Sequence, residues 1–208
     1  RTRRVGLVEL MNVANIEKSR LTAETISYQI GPRLNSAGRL DDAGTSYQLL
    51  VTQDRAQARI LATNLEEKNR ERQRLVAETY DKARRQILED GADRVILMAS
   101  DADYPPGVIG LVAGRLADEF YRPVILFKIG EDVCRGSARS IPEFDLMEAL
   151  KSCHHLLTRY GGHARAAGFN MHTRDMQQLQ KRLRSLAEEQ LTGLDLRPHI
   201  DIDAEVSL

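Results

Sequence analysis

One long helix, from about Asp54 to Glu89, constrains this chain more than any other feature. Asp54 is placed to cap its start and Gly91 lies just past its end. Apolar residues recur at helical spacing through Leu61, Leu65, Leu75 or Val76, Tyr80, Ala83 and Ile87. The middle, from Glu66 to Arg74, is almost wholly polar. Glu66–Arg70, Glu78–Lys82 and Asp81–Arg85 are i,i+4 pairs that support exposed helix. At a rise of ~1.5 Å per residue the helix reaches roughly 50 Å. A helix apolar at both ends and wet in the middle suits a connector between two domains.

The segments beside it differ in rhythm. Before it, Gly6–Ala14 is helical and Thr22-x-x-Thr25 opens a second helical piece. Gly31–Leu40 (GPRLNSAGRL) reads as a loop because Gly and Pro break helix. After Gly91, short apolar runs at Arg94–Ala99, Arg122–Ile129, Val133–Ser140 and Ala166–Met171 read as strands. They alternate with helices at Gly107–Phe120, from Asp145 to about Thr158, and at Asp175–Leu191. Asp145 with Glu148 has capping-box spacing, and Gly161-Gly162 reads as a break after that helix. This alternation predicts an α/β domain over 92–192. His199–Leu208 alternates like a strand that begins a further domain.

Charge and composition narrow the function. The chain has 30 basic and 30 acidic residues, so it lacks the whole-chain basic footprint of many nucleic-acid binders. The charge is nevertheless uneven. Residues 1–39 carry about +4, seven basic against three acidic side chains, and Lys151–Arg174 contains no carboxylate. Cys134 and Cys153 show neither metal-ligand spacing nor a disulfide framework. No signal peptide and no membrane-spanning apolar run is visible, so a reducing cytoplasmic location is expected. The first residue is Arg1 within Arg-rich sequence, which suggests a piece of a longer protein. Aromatic residues make up 5% and Trp is absent. Tyr104, Phe144 and Tyr160 could stack on bases, but packing is the simpler use for them.

Three short motifs carry chemistry. In Gly161-Gly162-His163-Ala164-Arg165, glycines admit a ligand close to the backbone, and His163 and Arg165 are donors; a helix stop beside an incidental His is the plainer alternative. In Arg135–Ser140, alternation on a strand puts Ser137 and Arg139 on one face, a hydroxyl beside a guanidinium suited to phosphate; a polar edge strand is the alternative. Pro105-Pro106-Gly107 precedes a helix whose free N–H groups could meet an anion, or simply starts it.

Gly31–Leu40 (GPRLNSAGRL), Pro106–Leu116 (PGVIGLVAGRL), Gly136–Ile141 (GSARSI) and Gly161–Phe169 (GGHARAAGF), in that order around a long charged helix, resemble the RecJ-type exonucleases of the DHH phosphoesterase superfamily. The resemblance covers nearly the whole chain, and GPRLNSAGRL is its most specific element. It implies a mixed-sheet DHH-associated domain at 92–192, preceded by a connector helix at 51–91 and the end of a DHH catalytic domain with its linker loop at 1–50. Residues 193–208 would start an OB-like domain. It implies degradation of single-stranded DNA from the 5′ end with manganese or magnesium, in repair and recombination. The metals would be held by a catalytic domain in cis. This chain has no Asp-His-His triplet: Cys153-His154-His155 is the nearest string, in a helix of the other domain. No catalytic or metal residue is therefore expected here.

By the same resemblance, Arg33, Asn35 and Arg39 face the cleft, Ser137, Arg139 and Ser140 hold the 5′ phosphate or adjacent backbone, and Gly161, Gly162 and His163 form the substrate-side loop. Pro105 stands where many relatives have His, so a substrate contact made by that His does not carry over to this chain. Single-strand-binding protein is the protein partner the family suggests. The competing readings are a phosphodiesterase for short or cyclic oligonucleotides, and a non-catalytic module binding nucleic acid or a repair protein.

Overall fold

The expected long helix is present as α5, Arg55–Asp90, in a computed structural model that describes residues 2–198 and Ala204. Asp54 caps it, its carboxylate accepting from the Ala56 N–H at 2.8 Å. The chain divides into two compact units, Arg1–Glu78 and Thr79–Leu208, and the division falls within α5. The expected strand at His199–Leu208 lies, apart from Ala204, outside the described residues.

In the first unit, α1 is Val5–Val13, α2 Ala23–Thr25, α3 Gly31–Leu40 and α4 Gly44–Val51. The Thr22–Thr25 capping box forms in both directions. α2 runs through a π-helical turn, Ile26–Ile30, directly into α3. GPRLNSAGRL is therefore helix, not loop. Pro32 sits in its first turn, where a missing N–H breaks no bond within α3. Leu10, Met11, Ala37, Leu49, Ala58, Ala62 and Leu65 form the core. Each such leucine contributes roughly 1.5–3 kcal/mol by leaving water.

The polar stretch of α5 is not uniformly wet. Glu66 and Asn69 are buried. Arg33 Nε donates to Glu66 at 2.5 Å, Arg70 Nε donates to Glu66 at 3.0 Å, and Lys68 Nζ donates to Asp41 at 2.6 Å. These residues are polar because they are ion-paired, chiefly to α3 and its C-cap. Of the three expected i,i+4 pairs, only Glu66–Arg70 forms. Glu78 pairs with Arg74, Lys82 reaches Asp101, and Arg85 donates to the Asp81 carbonyl.

The second unit is built on five strands: β1 Leu97–Asp101, β2 Val124–Lys128, β3 Val133–Arg139, β4 Arg159–His163 and β5 Ala166–His172. Their order is β1-β2-β3-β5-β4. β1 and β2 are parallel, joined through α6, Ile109–Phe120; the other pairings are antiparallel. The mixed α/β class is as expected. On one face, Ile125, Phe127, Cys134, Phe169 and Met171 pack in one core with α7, Leu146–Ser152, and α8, Met176–Leu191. On the other, α6 lies against β2 and β3.

Two expected boundaries shift. α7 ends at Ser152, not near Thr158, because Thr158 N already donates to the Asn170 carbonyl where β4 begins pairing. Asp145 caps α7 as expected, accepting from Met147 N and Glu148 N, while Glu148 pairs with Lys151 and does not complete a box. Gly161-Gly162 is not a helix break but the middle of β4. His154 and His155 lie exposed in a single 3₁₀ turn. Cys134 and Cys153 are free and buried, and burial pushes the Cys134 thiol up to about 11. Tyr104 and Phe144 are core residues. Among the described residues no helix is long and apolar enough to cross a membrane.

Candidate nucleic-acid interface

Strand register arranges the second unit's sheet into rows of directly paired residues whose side chains share a face. One row runs Asp101, Lys128, Arg135, Asn170, Arg159 from β1 to β4. The next runs Ala99, Leu126, Ser137, Gly168, Gly161. The third runs Leu97, Val124, Arg139, Ala166, His163. Leu97, Ala99, Val124 and Leu126 are buried on the side where α6 packs. Beyond Ser137 the rows lose bulk, and the β3–β5–β4 part of the face opens into a cavity of ≈ 490 Å³.

Arg135, Ser137, Arg159, Gly161, Gly168 and Asn170 line that cavity, with Pro106 and Ile109 at its edge. No aspartate or glutamate is among its described lining residues. A Cβ added at Gly161 would meet nothing within 4 Å, and at Gly168 only the Gly136 carbonyl at 3.8 Å. Packing therefore does not require glycine at either position. The bare floor is room for something else. Ser137 Oγ has no hydrogen-bond partner among the described residues, and Arg135 and Arg159 make no ion pair among them. Rows two residues apart stand ~6.8 Å from one another, which spreads donors along the face as an extended phosphodiester backbone requires.

The sequence-derived residues sort as follows. Ser137 and Gly161 meet in the cavity. Arg139 lies one row on, Nη1 donating to the Ala138 carbonyl at 2.8 Å, with His163 exposed at the far end of its row. Ser140 is turned to structure: its Oγ donates to the Phe144 carbonyl at 2.7 Å and its N–H to the Arg165 carbonyl at 3.0 Å. Gly162 is a structural glycine, at φ 148°, where a Cβ would stand 2.2 Å from the Ala166 carbonyl oxygen. Arg135, Arg159 and Asn170 escaped sequence reasoning. Strand alternation from Ser137 reaches Arg135, but only the register brings Asn170 and Arg159 beside it.

In the first unit, Arg33 is fastened by Glu66 and by donation to the Gln29 carbonyl at 2.7 Å. Asn35 and Arg39 are exposed, four residues apart on one side of α3. Arg72 adds to this group. Burial first, then the nearby charges of Arg39 and Arg33, hold its guanidinium below the usual arginine range. Asn69 Oδ1 accepts from Arg72 Nη2 at 3.0 Å. Three guanidinium groups thus share one region of this unit.

Residues 93–189 match the DHHA1 domain family. RecJ of Bacillus subtilis, a single-stranded-DNA-specific exonuclease, is 37% identical over 205 residues, covering 98% of this chain and 26% of the relative. This is a RecJ-like chain with a DHHA1 domain. Crystal structures of Thermus thermophilus RecJ in complex with Mg²⁺ and with Mn²⁺ each align at a TM-score of 0.79 and 32% identity, over 90% of this chain and 29% or 28% of theirs. The RecJ-like chain thus spans about a quarter of the length of these relatives. Its described residues contain no group of three or more His, Cys, Asp or Glu side chains placed to hold a metal. The cavity's guanidinium lining is also the wrong donor set for a cation.

Proposed function

We propose that this chain is the strand-gripping part of a metal-dependent exonuclease that degrades single-stranded DNA from its 5′ end in repair and recombination in the cytoplasm. The observation that carries this reading is the bare glycine floor of Gly161 and Gly168, flanked by Arg135, Arg159 and Ser137 with no carboxylate among the described lining residues. A phosphodiester backbone needs cationic donors and close approach, and this face offers both. Ser137 and Arg139 hold the 5′ phosphate or the neighbouring backbone, Gly162 and His163 shape the edge strand, and Ser140 keeps β3 in place. Arg33, Asn35 and Arg39, with Arg72, supply contacts from the first unit.

In this reading residues 1–50 end the DHH catalytic domain, 51–91 connect, 92–192 form the DHH-associated domain, and 193–208 begin an OB-like domain. Manganese or magnesium, held by residues outside this chain, activates the attacking water. The chain alone positions the strand and does not cleave it.

The test is binding of the isolated chain to a 5′-phosphorylated single strand across a salt series, alongside a nuclease assay with Mn²⁺. The reading expects affinity that falls with salt, a salt slope reduced by about 0.7 in Arg139→Ala, and no cleavage. Cleavage by the chain alone would sink the assignment of chemistry to the missing part. Binding indifferent to Arg139 would sink the assignment of the site.

A further inference from the structure

The Pro106–Leu116 motif has no part in the strand-gripping reading so far. As a helix start alone it explains Pro106 and nothing of its glycines. Gly110 and Gly114 lie one turn apart on the same side of α6, and that side faces β3. A Cβ built on Gly110 would stand 2.9 Å from Ser137 Oγ and 3.3 Å from Arg139 Nη2. One built on Gly114 would stand 3.8 Å from Arg139 Cγ and 4.0 Å from its Nε. The arginine side chain therefore runs lengthwise along α6. Its stem passes Gly114, and its guanidinium ends at Gly110 beside the serine hydroxyl.

We propose that Gly110 is a positioning residue for phosphate binding: the side chain it lacks leaves the space in which Ser137 Oγ and Arg139 Nη2 converge. This rests on the reading of Ser137 and Arg139 as phosphate ligands. Fold stability does not explain the glycine. The atoms an alanine would meet are the outer ends of the Ser137 and Arg139 side chains, neither backbone nor a packed ring. Other glycines differ: at Gly136 a Cβ would enter the Phe169 ring at 2.1 Å, and at Gly6 it would meet the Leu49 carbonyl oxygen at 1.7 Å. Alanine is also the better helix former. What an alanine at 110 would disturb is the aim of two donors. Arg139 cannot absorb the push by swinging freely, because its Nη1 is already bonded to the Ala138 carbonyl.

The experiment uses Gly110→Ala in the full-length protein, with EDTA present to prevent cleavage. It measures affinity for a 5′-phosphorylated and a 5′-hydroxyl single-stranded oligonucleotide, and thermal unfolding. The expected result is roughly tenfold weaker binding, the worth of about one charge-assisted hydrogen bond, with an unchanged Tm. Gly114→Ala should bind as wild type, since its contacts are ordinary ones. Added to a Ser137→Ala/Arg139→Ala background, Gly110→Ala should cost nothing further, because its effect passes through those side chains. A loss confined to the 5′-phosphorylated strand identifies the terminal phosphate as the ligand, and an equal loss on both strands identifies the internal backbone. Wild-type binding by Gly110→Ala, with Ser137→Ala and Arg139→Ala still impaired, overturns the positioning role and leaves the site intact. Wild-type binding by all three overturns the site as well. A fall in Tm as large as that of Gly136→Ala makes Gly110 a packing residue and also overturns the proposal.

Discussion

The two faces of β3, β5 and β4 are made by alternate residues of the same strands, yet they answer to different demands. On one face Cys134, Ala138, Phe169 and Met171 close onto α7 and α8, and Phe169 meets Phe127 edge-on at 5.8 Å. Its glycine, Gly136, is small because an aromatic ring occupies the space a methyl would need. On the other face a Cβ at Gly161 would meet nothing within 4 Å, and one at Gly168 only the Gly136 carbonyl at an ordinary 3.8 Å. Identical residues thus mean packing on one side and vacancy on the other. In the proposed reading, a bound strand is the reason to keep that space clear.

The sharpest test of this contrast is Gly136→Ala. Overpacking against Phe169 should cost about 3 kcal/mol, read as a lower denaturation midpoint in urea. If the variant is as stable as wild type, the packed face is more plastic than its geometry implies and the contrast weakens. Next comes Arg139→Ala on the open face. It should weaken single-strand binding by about 1.5–3 kcal/mol, as for a hydrogen bond to a charged group, with stability close to wild type.

Gly168→Ala and Gly161→Ala sharpen the comparison further. Each should leave stability unchanged or raise it by about 0.5–1 kcal/mol, since alanine is less disordered in the unfolded chain, while binding falls several-fold. A stability loss at either position would mean that the floor is bare for packing reasons after all.

The smallest effect is expected at the covered end of the first row, where Lys82 Nζ meets Asp101 Oδ2 at 2.6 Å. Burial works to raise the Asp101 pKa, but Lys82 and the Asp103 N–H outweigh it and hold the carboxyl below its ordinary value. A depressed carboxylate stabilises the fold above its unfolded pKa of about 4 and loses that contribution as pH falls through the lower, folded value. Lys82→Ala should therefore destabilise slightly at neutral pH, and the difference from wild type should close on acidification. Stability curves at pH 7 and in the acid range would check it.

Much of the architecture was legible in the chain. α5 announced itself through apolar spacing between Asp54 and Gly91, and the β2 and β3 runs were visible as apolar or alternating segments. Ser137 and Arg139 share a face because strand alternation leaves no other choice. The errors have physical causes. Gly31 and Pro32 suggested a loop, but a π-helical turn delivers the chain into α3 already helical, so neither residue interrupts it. RYGGH shows no alternation because every residue of β4 is exposed. It is a strand only because β5 pairs with it. Glu78 and Lys82 have ideal spacing for each other, but each finds a different partner, Arg74 within the helix and Asp101 beyond it.

Sequence alone determined most of the helices and strands, α3 and β4 excepted, and which residue types could hold a phosphate, because local periodicity and side-chain chemistry act over a few neighbouring residues. Tertiary structure alone decided that Arg135, Asn170 and Arg159 stand in one row, that Gly161 faces open space while Gly162 does not, and that Gly110 abuts Ser137. Those relations depend on strand register and on a helix crossing over the sheet. Both are set by packing among residues far apart in the chain, and no local pattern encodes them.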